Sequence, residues 1–280
     1  MTAAATQKVK RMFILYIPLA VFLIYTLFPV YWTLNTALKH EEDIMTFPLL
    51  YMPRQITLDN FIQLWKDFKI YTYLFNSFIV ATVSSLIILF MATLAGYSFA
   101  RYRFKAKQFI MLVYLSVQMF PVVLLIVPLF ITFSQFGLID SLYSLILTYG
   151  TFNLAFCTLT MRGFILEVPR EVEECAIVDG CSRVGAIVRV TLPIVAPGLA
   201  ATAIFAFLSA WNELMFAVMF INSQEKMTLP IALSSFIGQY SIYWGPMCAA
   251  VIVALLPEMM LFAYIQKYLI RGLASGAVKG

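Results

Sequence analysis

The chain has few charged residues and a single histidine. Charged residues make up 12% of its 280 residues and hydrophobic residues 62%, whereas an average soluble domain is about 25% charged. A soluble domain of this length could not bury so much apolar surface, but a lipid bilayer removes the need for a polar exterior. The composition therefore predicts an all-α membrane protein that crosses the bilayer several times.

Other missing features exclude several kinds of chemistry. His40 has no second histidine to join it in a metal cluster or a catalytic unit, and no HExxH motif or pair of membrane aspartates indicates an enzyme. No phosphate-binding G-x-x-x-x-G-K-[ST] motif is present, so the chain is expected not to hydrolyse ATP itself. No basic run interleaved with aromatics indicates nucleic-acid binding. The four cysteines are Cys157, Cys175, Cys181 and Cys248, and none of them forms a CxxC pair. Neither a metal site nor a disulfide is therefore expected.

Six apolar segments are long enough to cross ~30 Å of hydrocarbon. They lie at about 12–35, 73–100, 108–134, 142–161, 196–221 and 245–267. If the segments between them alternate in side, fourteen Lys and Arg residues fall on one side and five on the other. Because positive residues are enriched in cytoplasmic loops, both termini and residues 162–195 are predicted to be cytoplasmic.

The predicted organisation has four parts. A cytoplasmic N-terminus (1–11) precedes a first transmembrane helix with its extracytoplasmic loop (12–72), and a five-helix core (73–267) precedes a cytoplasmic tail (268–280). Within the core, small residues recur at helical spacing in the second span, which predicts close helix packing. These residues are Ser77, Ala81, Ser84, Ala92, Ala95 and Gly96.

The cytoplasmic loop 167–193 is too polar to cross lipid but too apolar for a random connector. Pro169 can start a helix, and the acidic residues after it suit the positive end of the helix dipole. Asp179-Gly180 predicts the end of that helix, and Ser182 can cap a second one. The loop is therefore predicted to form two short helices at the membrane surface, arranged as a compact projection that fits a groove.

The motifs of this loop resemble a known family. Glu174-Cys175-Ala176, Gly180 and Val190-Thr191-Leu192-Pro193 stand at the spacing of the EAA loop, which reads E-A-A, three residues, G, nine residues, I-x-L-P. The loop is similar to that of bacterial ABC-transporter permeases, with Cys175 in place of an alanine and Val190 in place of isoleucine. The segments 95–101 and 211–213 and the tail 271–280 look like the carbohydrate branch and its MalG-type subunit.

This resemblance implies the fold and the partners. It implies a type I ABC importer permease with six transmembrane helices, a MalF-like second permease in a heterodimer, two ATP-binding subunits and an extracytoplasmic sugar-binding protein. ATP and Mg would be held by the partners, with no cofactor on this chain. The residues that would dock to the ATPase are Glu174, Cys175, Ala176, Asp179, Gly180, Leu192 and Pro193, and a second contact would come from Gly276, Ala277, Val278 and Lys279.

Polar residues within the spans are candidates for the sugar path. An ionised group at mid-membrane costs about 2.5–3.5 kcal/mol on insertion scales, so each carboxylate is expected to face protein or water. The candidates are Asn212, Glu213, Glu258, Gln118 and Asn153. The alternative is an interhelical hydrogen bond or, for the carboxylates, protonation within the bundle. Other open interpretations are a polyol or glycerol-phosphate cargo, and a proton-driven secondary transporter with Glu213 and Glu258 as carriers.

Overall fold

The structure is a computed structural model that describes residues 12–238 and 241–277, with side chains as far as Gln266. Within these residues the chain is almost entirely helical, and the one β contact is an isolated antiparallel bridge between Ile237 and Ile242. The helices are α1 (Ile17–Ala37), α2 (Glu41–Ile44), α3 (Asp59–Lys66), α4 (Ile70–Arg101), α5 (Lys107–Met119), α6 (Ile126–Gln135), α7 (Leu142–Glu167), α8 (Arg170–Val178), α9 (Arg183–Ala186), α10 (Leu192–Ile194), α11 (Ala196–Trp211), α12 (Met215–Phe220), α13 (Leu229–Ser235) and α14 (Trp244–Ala277). The π-helical turns are Met12–Tyr16 and Ile187–Thr191, and the 3₁₀ turns are Val122–Leu125 and Gln224–Lys226. The predicted all-α class is confirmed.

Between four and six segments of the described chain could cross a membrane. Four are single helical segments of sufficient length and hydropathy, namely Met12–Ala37, Ile70–Arg101, Leu142–Glu167 and Trp244–Gln266. Two more are bent pairs, Lys107–Met119 with Val122–Gln135 at 95° and Arg183–Ile194 with Ala196–Trp211 at 77°. Four of the six expected spans are thus continuous helices.

The third expected span bends at Phe120 and Pro121. Proline has no backbone N–H to donate, and its ring disfavours helical conformation in the residue before it. Phe120 accordingly has an extended backbone, with φ −77° and ψ 129°, and the chain resumes its helical path through Val122–Leu125. The observed bend of 95° divides this expected span into two helices.

The fifth expected span, 196–221, is not one helix. Helix α11 ends at Trp211, and α12 begins only at Met215. Apolar residues flank Asn212 and Glu213 on both sides, so hydropathy averaged over this segment predicted a continuous span. At this break the Glu213 carboxylate accepts from backbone N–H groups at the start of α12.

Helix α7 is the centre of the larger packed region, where α5, α11 and α12 contact it. The small residues predicted on α4 mediate close packing, since Ser77, Ala81, Ser84 and Ala92 are buried. At Gly96 an added Cβ would lie only 2.9 Å from the backbone N of Arg162. The core next to the loop 167–193 consists of Ile88, Ala92, Ala100, Cys157, Met161, Ile165, Val168, Val195 and Ala206.

The chain divides into two compact units. One contains the chain up to Ile70 together with Leu233–Leu256, and the other contains Tyr71–Ala232 together with the chain from Pro257. In the first unit, the Asn60 side chain donates to the backbone carbonyls of Ala37 and Lys39 at 2.9 and 2.8 Å, which ties α3 to the end of α1. All of the site residues discussed below with described side chains lie in the second unit.

Candidate coupling and substrate-path sites

The loop 167–193, here called the coupling loop, folds into two short helices as predicted. Pro169 immediately precedes α8, and Glu171 and Glu173 lie in its first turn. The end of α8 is a Schellman motif, in which the Gly180 N–H donates to Ile177 at 3.0 Å and the Cys181 N–H donates to Ala176 at 3.0 Å. Gly180 has φ +94°, a conformation that glycine adopts at little cost.

The second helix begins with the predicted serine cap. The Ser182 hydroxyl oxygen accepts from the Gly185 N–H at 3.1 Å, which satisfies a donor at the start of α9. The π-helical turn Ile187–Thr191 then joins α9 to Leu192, and the chain bends by 77° into α11. Leu192 packs against the core next to the loop. The coupling loop is therefore joined to α11 through consecutive helical segments.

The predicted docking residues divide between two faces of the loop. Glu174, Cys175, Asp179 and Gly180 are exposed around the turn between α8 and α9, whereas Ala176 is buried. Large apolar side chains are exposed beside the acidic ones, and Val178 is 86% exposed and Val184 69%. Val178 is not among the predicted docking residues. An exposed turn with acidic and apolar groups is the kind of surface that a partner protein buries.

Glu173 forms a buried polar cluster on the inner face of α8. Its Oε1 accepts from Arg101 Nε at 2.9 Å, from Arg101 Nη2 at 2.7 Å and from the Thr191 hydroxyl at 2.9 Å. Its Oε2 accepts from the Tyr97 hydroxyl at 2.9 Å. Arg101 Nη2 also donates to the Val168 carbonyl at 2.9 Å. Helix α4, helix α8 and the π-helical turn therefore meet at one carboxylate, and Arg101 also joins the start of the loop to it.

The electrostatics of this cluster favour an ionised glutamate. The side chains of Arg101 and Glu173 are only 7% and 9% exposed. Burial raises the pKa of Glu173, but hydrogen bonds from Arg101, Thr191 and Tyr97 outweigh it and hold the pKa below its ordinary value. An open cavity of about 280 Å³ adjoins the cluster, with Arg170 and Arg183 in its lining.

This cluster was not predicted from the sequence. There Glu173 was only an acidic residue near a helix N-terminus, and Arg101 only one of the cations expected on the cytoplasmic side. The available signal was the spacing of Tyr97 and Arg101, which are one helical turn apart and can reach the same group from one face.

The carboxylate of Glu213 is occupied by protein donors. Its Oε2 accepts from the Tyr149 hydroxyl at 2.6 Å, and Oε1 accepts from the Phe216 N–H at 3.0 Å. Oε2 also accepts from the Ala217 N–H at 3.3 Å. These contacts cap α12 and join it to α7. For Glu213, the structure brings together the partners expected of an interhelical hydrogen bond.

The other substrate-path candidates have different surroundings. Asn212 is exposed and its Nδ2 donates to Glu258 Oε1 at 2.8 Å, so this pair links α11 to α14. Asn153 Oδ1 accepts from the Ser209 hydroxyl at 2.9 Å between α7 and α11. Gln118 is exposed near the bend of the third span, with its Nε2 at 3.5 Å from the Tyr114 carbonyl.

The predicted tail contact lies at the end of α14. Gly276 and Ala277 belong to that helix, which continues past the predicted start of the tail at 268. Val278 and Lys279 lie outside the described residues. Their contact role stays a prediction.

Comparison with known families now identifies the chain. Residues 88–275 match the family described as binding-protein-dependent transport system inner membrane component. The chain belongs to this family. It is therefore a permease subunit of a transporter and not an enzyme, and it is a multi-pass protein of the inner membrane.

Characterised relatives align along nearly the whole permease. The sulfoquinovosyl glycerol transport system permease protein SmoH of Agrobacterium fabrum is 35% identical, with 95% of this chain and 93% of SmoH covered. The diacetylchitobiose uptake system permease protein DasC of Streptomyces coelicolor is 37% identical, with 90% and 92% covered. The trehalose/maltose transport system permease protein MalG of Thermococcus litoralis is 29% identical, with 98% and 99% covered.

A solved structure has the same fold. A chain of a bacterial ABC transporter involved in the import of the acidic polysaccharide alginate superposes with a TM-score of 0.79, at 16% identity. The match covers 96% of this permease and 99% of that chain. At this identity the likeness establishes the fold of an ABC importer permease.

Proposed function

We propose that the chain forms half of the translocation pathway of an ATP-driven, binding-protein-dependent sugar importer. In this proposal it has six transmembrane helices with both termini in the cytoplasm, and the two bent helix pairs belong to the third and fifth spans. A second, non-identical permease completes the pathway, and two ATP-binding subunits supply the energy. A sugar-binding protein delivers the cargo at the outer face.

The coupling loop is the observation that carries this proposal. Its exposed turn combines Glu174 and Asp179 with apolar Val178, and it is held by a Schellman motif rather than by a mobile linker. Such a rigid projection suits a groove on an ATP-binding subunit, where its carboxylates pair with basic groups at the rim. Movement of the loop reaches α11 through Leu192 and Pro193.

The sugar assignment is supported by the relatives and by the polar groups of the spans. SmoH, DasC and MalG carry sugar derivatives or disaccharides in their names. Amide and carboxylate groups in this chain can bind sugar hydroxyls, whereas a glycerol-phosphate cargo would favour a basic lining. No Lys or Arg lies deep within the expected spans, so a basic lining for an anionic cargo would have to come from the second permease.

Gly180→Trp and Glu174→Lys are expected to uncouple transport from ATP hydrolysis. The tryptophan adds bulk to the docking turn and strains its φ of +94°, and the lysine reverses one charge at the rim. The measurement is uptake and sugar-stimulated ATP hydrolysis by the purified complex in vesicles. Labelled maltose, trehalose and diacetylchitobiose are screened, and the one that the wild-type complex imports is the probe sugar.

Gly137→Trp is the matched control for the glycine variant. Gly137 also has a positive φ, +66°, and open space around its Cβ position, but it lies outside the coupling loop. Its variant is expected to retain coupled uptake. Normal uptake and ATP turnover in both loop variants contradicts the docking assignment. Uptake driven by a pH gradient in vesicles without ATP-binding subunits would instead support the secondary transporter.

Glu258 is proposed to contact sugar together with Asn212. Among the described residues, Glu258 Oε1 accepts from Asn212 and no hydrogen bond is made by Oε2, so the pair retains acceptors for hydroxyl groups. Because an ionised group is costly in lipid, this face of α14 is expected to line water or protein. Glu258→Gln is expected to raise the KM for the probe sugar severalfold, while Glu225→Gln on an external turn leaves it unchanged. Unaltered uptake at several pH values removes Glu258 from the path.

A further inference from the structure

Helix α8 has two faces with different partners. Its exposed residues Glu174 and Val178 are four positions apart and lie on the outer face, whereas Glu173 and Ala176 are buried on the inner face. The outer face is the one available to a partner protein. The inner face is fixed to this chain by the buried cluster of Glu173. A partner protein that displaces α8 would therefore act on its outer face, and the inner face would pass the displacement to the rest of this chain.

The Glu173 cluster connects the coupling loop to α4, to which the loop is not directly joined along the chain. Along the chain, the coupling loop continues only into α7 on one side and α11 on the other. Arg101 ends α4 and is 72 residues from Glu173, yet its guanidinium group donates twice to that carboxylate. The Thr191 hydroxyl, just before α10, donates to Glu173, and the Val168 carbonyl, just before α8, accepts from Arg101. The link from loop to α4 is thus noncovalent. The buried Arg101–Glu173 pair is its charged part, and the more exposed Arg170 adds longer contacts of 3.5 and 3.3 Å from its Nη2 to the Ala100 and Arg101 carbonyls.

The chemistry of the cluster suits a link that must keep its geometry. A buried ion pair adds little net stability compared with apolar groups of similar volume, because desolvation offsets the attraction. Its hydrogen bonds are directional, however, and the four donors here fix the orientation of the carboxylate. Apolar packing in the same place would hold the loop against α4 but would allow it to slide.

We propose that the Arg101–Glu173 pair, supported by Tyr97 and Thr191, is the positioning element that makes α4 move with the coupling loop. This inference rests on the proposed function, since it requires that a partner displaces the loop. Nucleotide-driven movement of α8 then reaches α4 directly through Arg101, as well as α11 through Leu192. Two helices of the pathway respond to one displacement.

The test replaces the pair without leaving a buried charge. The double variant Arg101→Met/Glu173→Met is compared with the wild-type complex in vesicles, using the probe sugar. ATP hydrolysis and assembly are expected to persist, while sugar imported per ATP hydrolysed falls by at least roughly fivefold, the low end of coupling between distant sites. A merely structural role would lower the yield of complex without changing this ratio.

Further variants and outcomes separate the possibilities. If the double variant does not assemble, Tyr97→Phe/Thr191→Val removes two hydrogen bonds and keeps the ion pair, and a reduced sugar-to-ATP ratio is expected there too. A wild-type ratio in whichever double variant assembles overturns the inference. Failure of the proposed function has a different signature, because the wild-type chain would then show no ATP-dependent uptake at all.

Discussion

Gly96→Ala is expected to lower the free energy of unfolding of the permease by about 1–3 kcal/mol, the usual cost of overpacking. The added Cβ would lie 2.9 Å from Arg162 N, 3.0 Å from Met161 Cβ and 3.1 Å from the Thr158 carbonyl oxygen. Backbone atoms and a Cβ cannot move away by a change of rotamer, so α4 and α7 must separate. The measurement is thermal or denaturant unfolding of the purified chain in detergent.

Gly163→Ala is the matched control on α7. No heavy atom lies within 4 Å of its Cβ position, so the substitution meets open space. Alanine is about 1 kcal/mol more favourable than glycine inside a helix, and the control is therefore expected to be neutral or stabilising. The close-packing interpretation is wrong if Gly96→Ala is as stable as Gly163→Ala.

The start and end of the coupling helices could be predicted because their signals are local. Proline before α8, a glycine with positive φ after it and a serine cap on α9 each act within a few residues. The structure has all three at the expected positions, Pro169, Gly180 and Ser182. Local signals of this kind do not depend on how distant segments pack.

The Arg101–Glu173 pair could not be predicted in the same way. The two residues are 72 positions apart, and each carries an ordinary local explanation, a cytoplasmic cation and a helix-dipole partner. Only the packing of α4 against the coupling loop brings them together. Hydropathy likewise missed the break after Trp211, since it measures composition and not which backbone N–H groups a side chain can satisfy.

Variants of Glu213 distinguish a structural role of this carboxylate from a role in binding substrate. Glu213→Ala is expected to destabilise the permease by several kcal/mol, because it leaves the Tyr149 hydroxyl and the N–H groups of Phe216 and Ala217 without their acceptor in a region with little water. Tyr149→Phe removes one hydrogen bond and is expected to cost only about 0.5–1.5 kcal/mol. Unfolding in detergent measures both.

Glu213→Gln decides between the two roles. Glutamine keeps one acceptor oxygen, but it places an NH₂ group towards donors that the Glu213 carboxylate satisfies. A capping role therefore predicts an intermediate loss of stability and an unchanged KM for the probe sugar. A substrate role predicts the reverse, with wild-type stability and a raised KM. Because the three donors to Glu213 already come from Tyr149 and α12, we expect stability to change and KM to stay the same. Asn212, next to Glu213, is exposed and donates to Glu258, and this pair stays the proposed sugar contact.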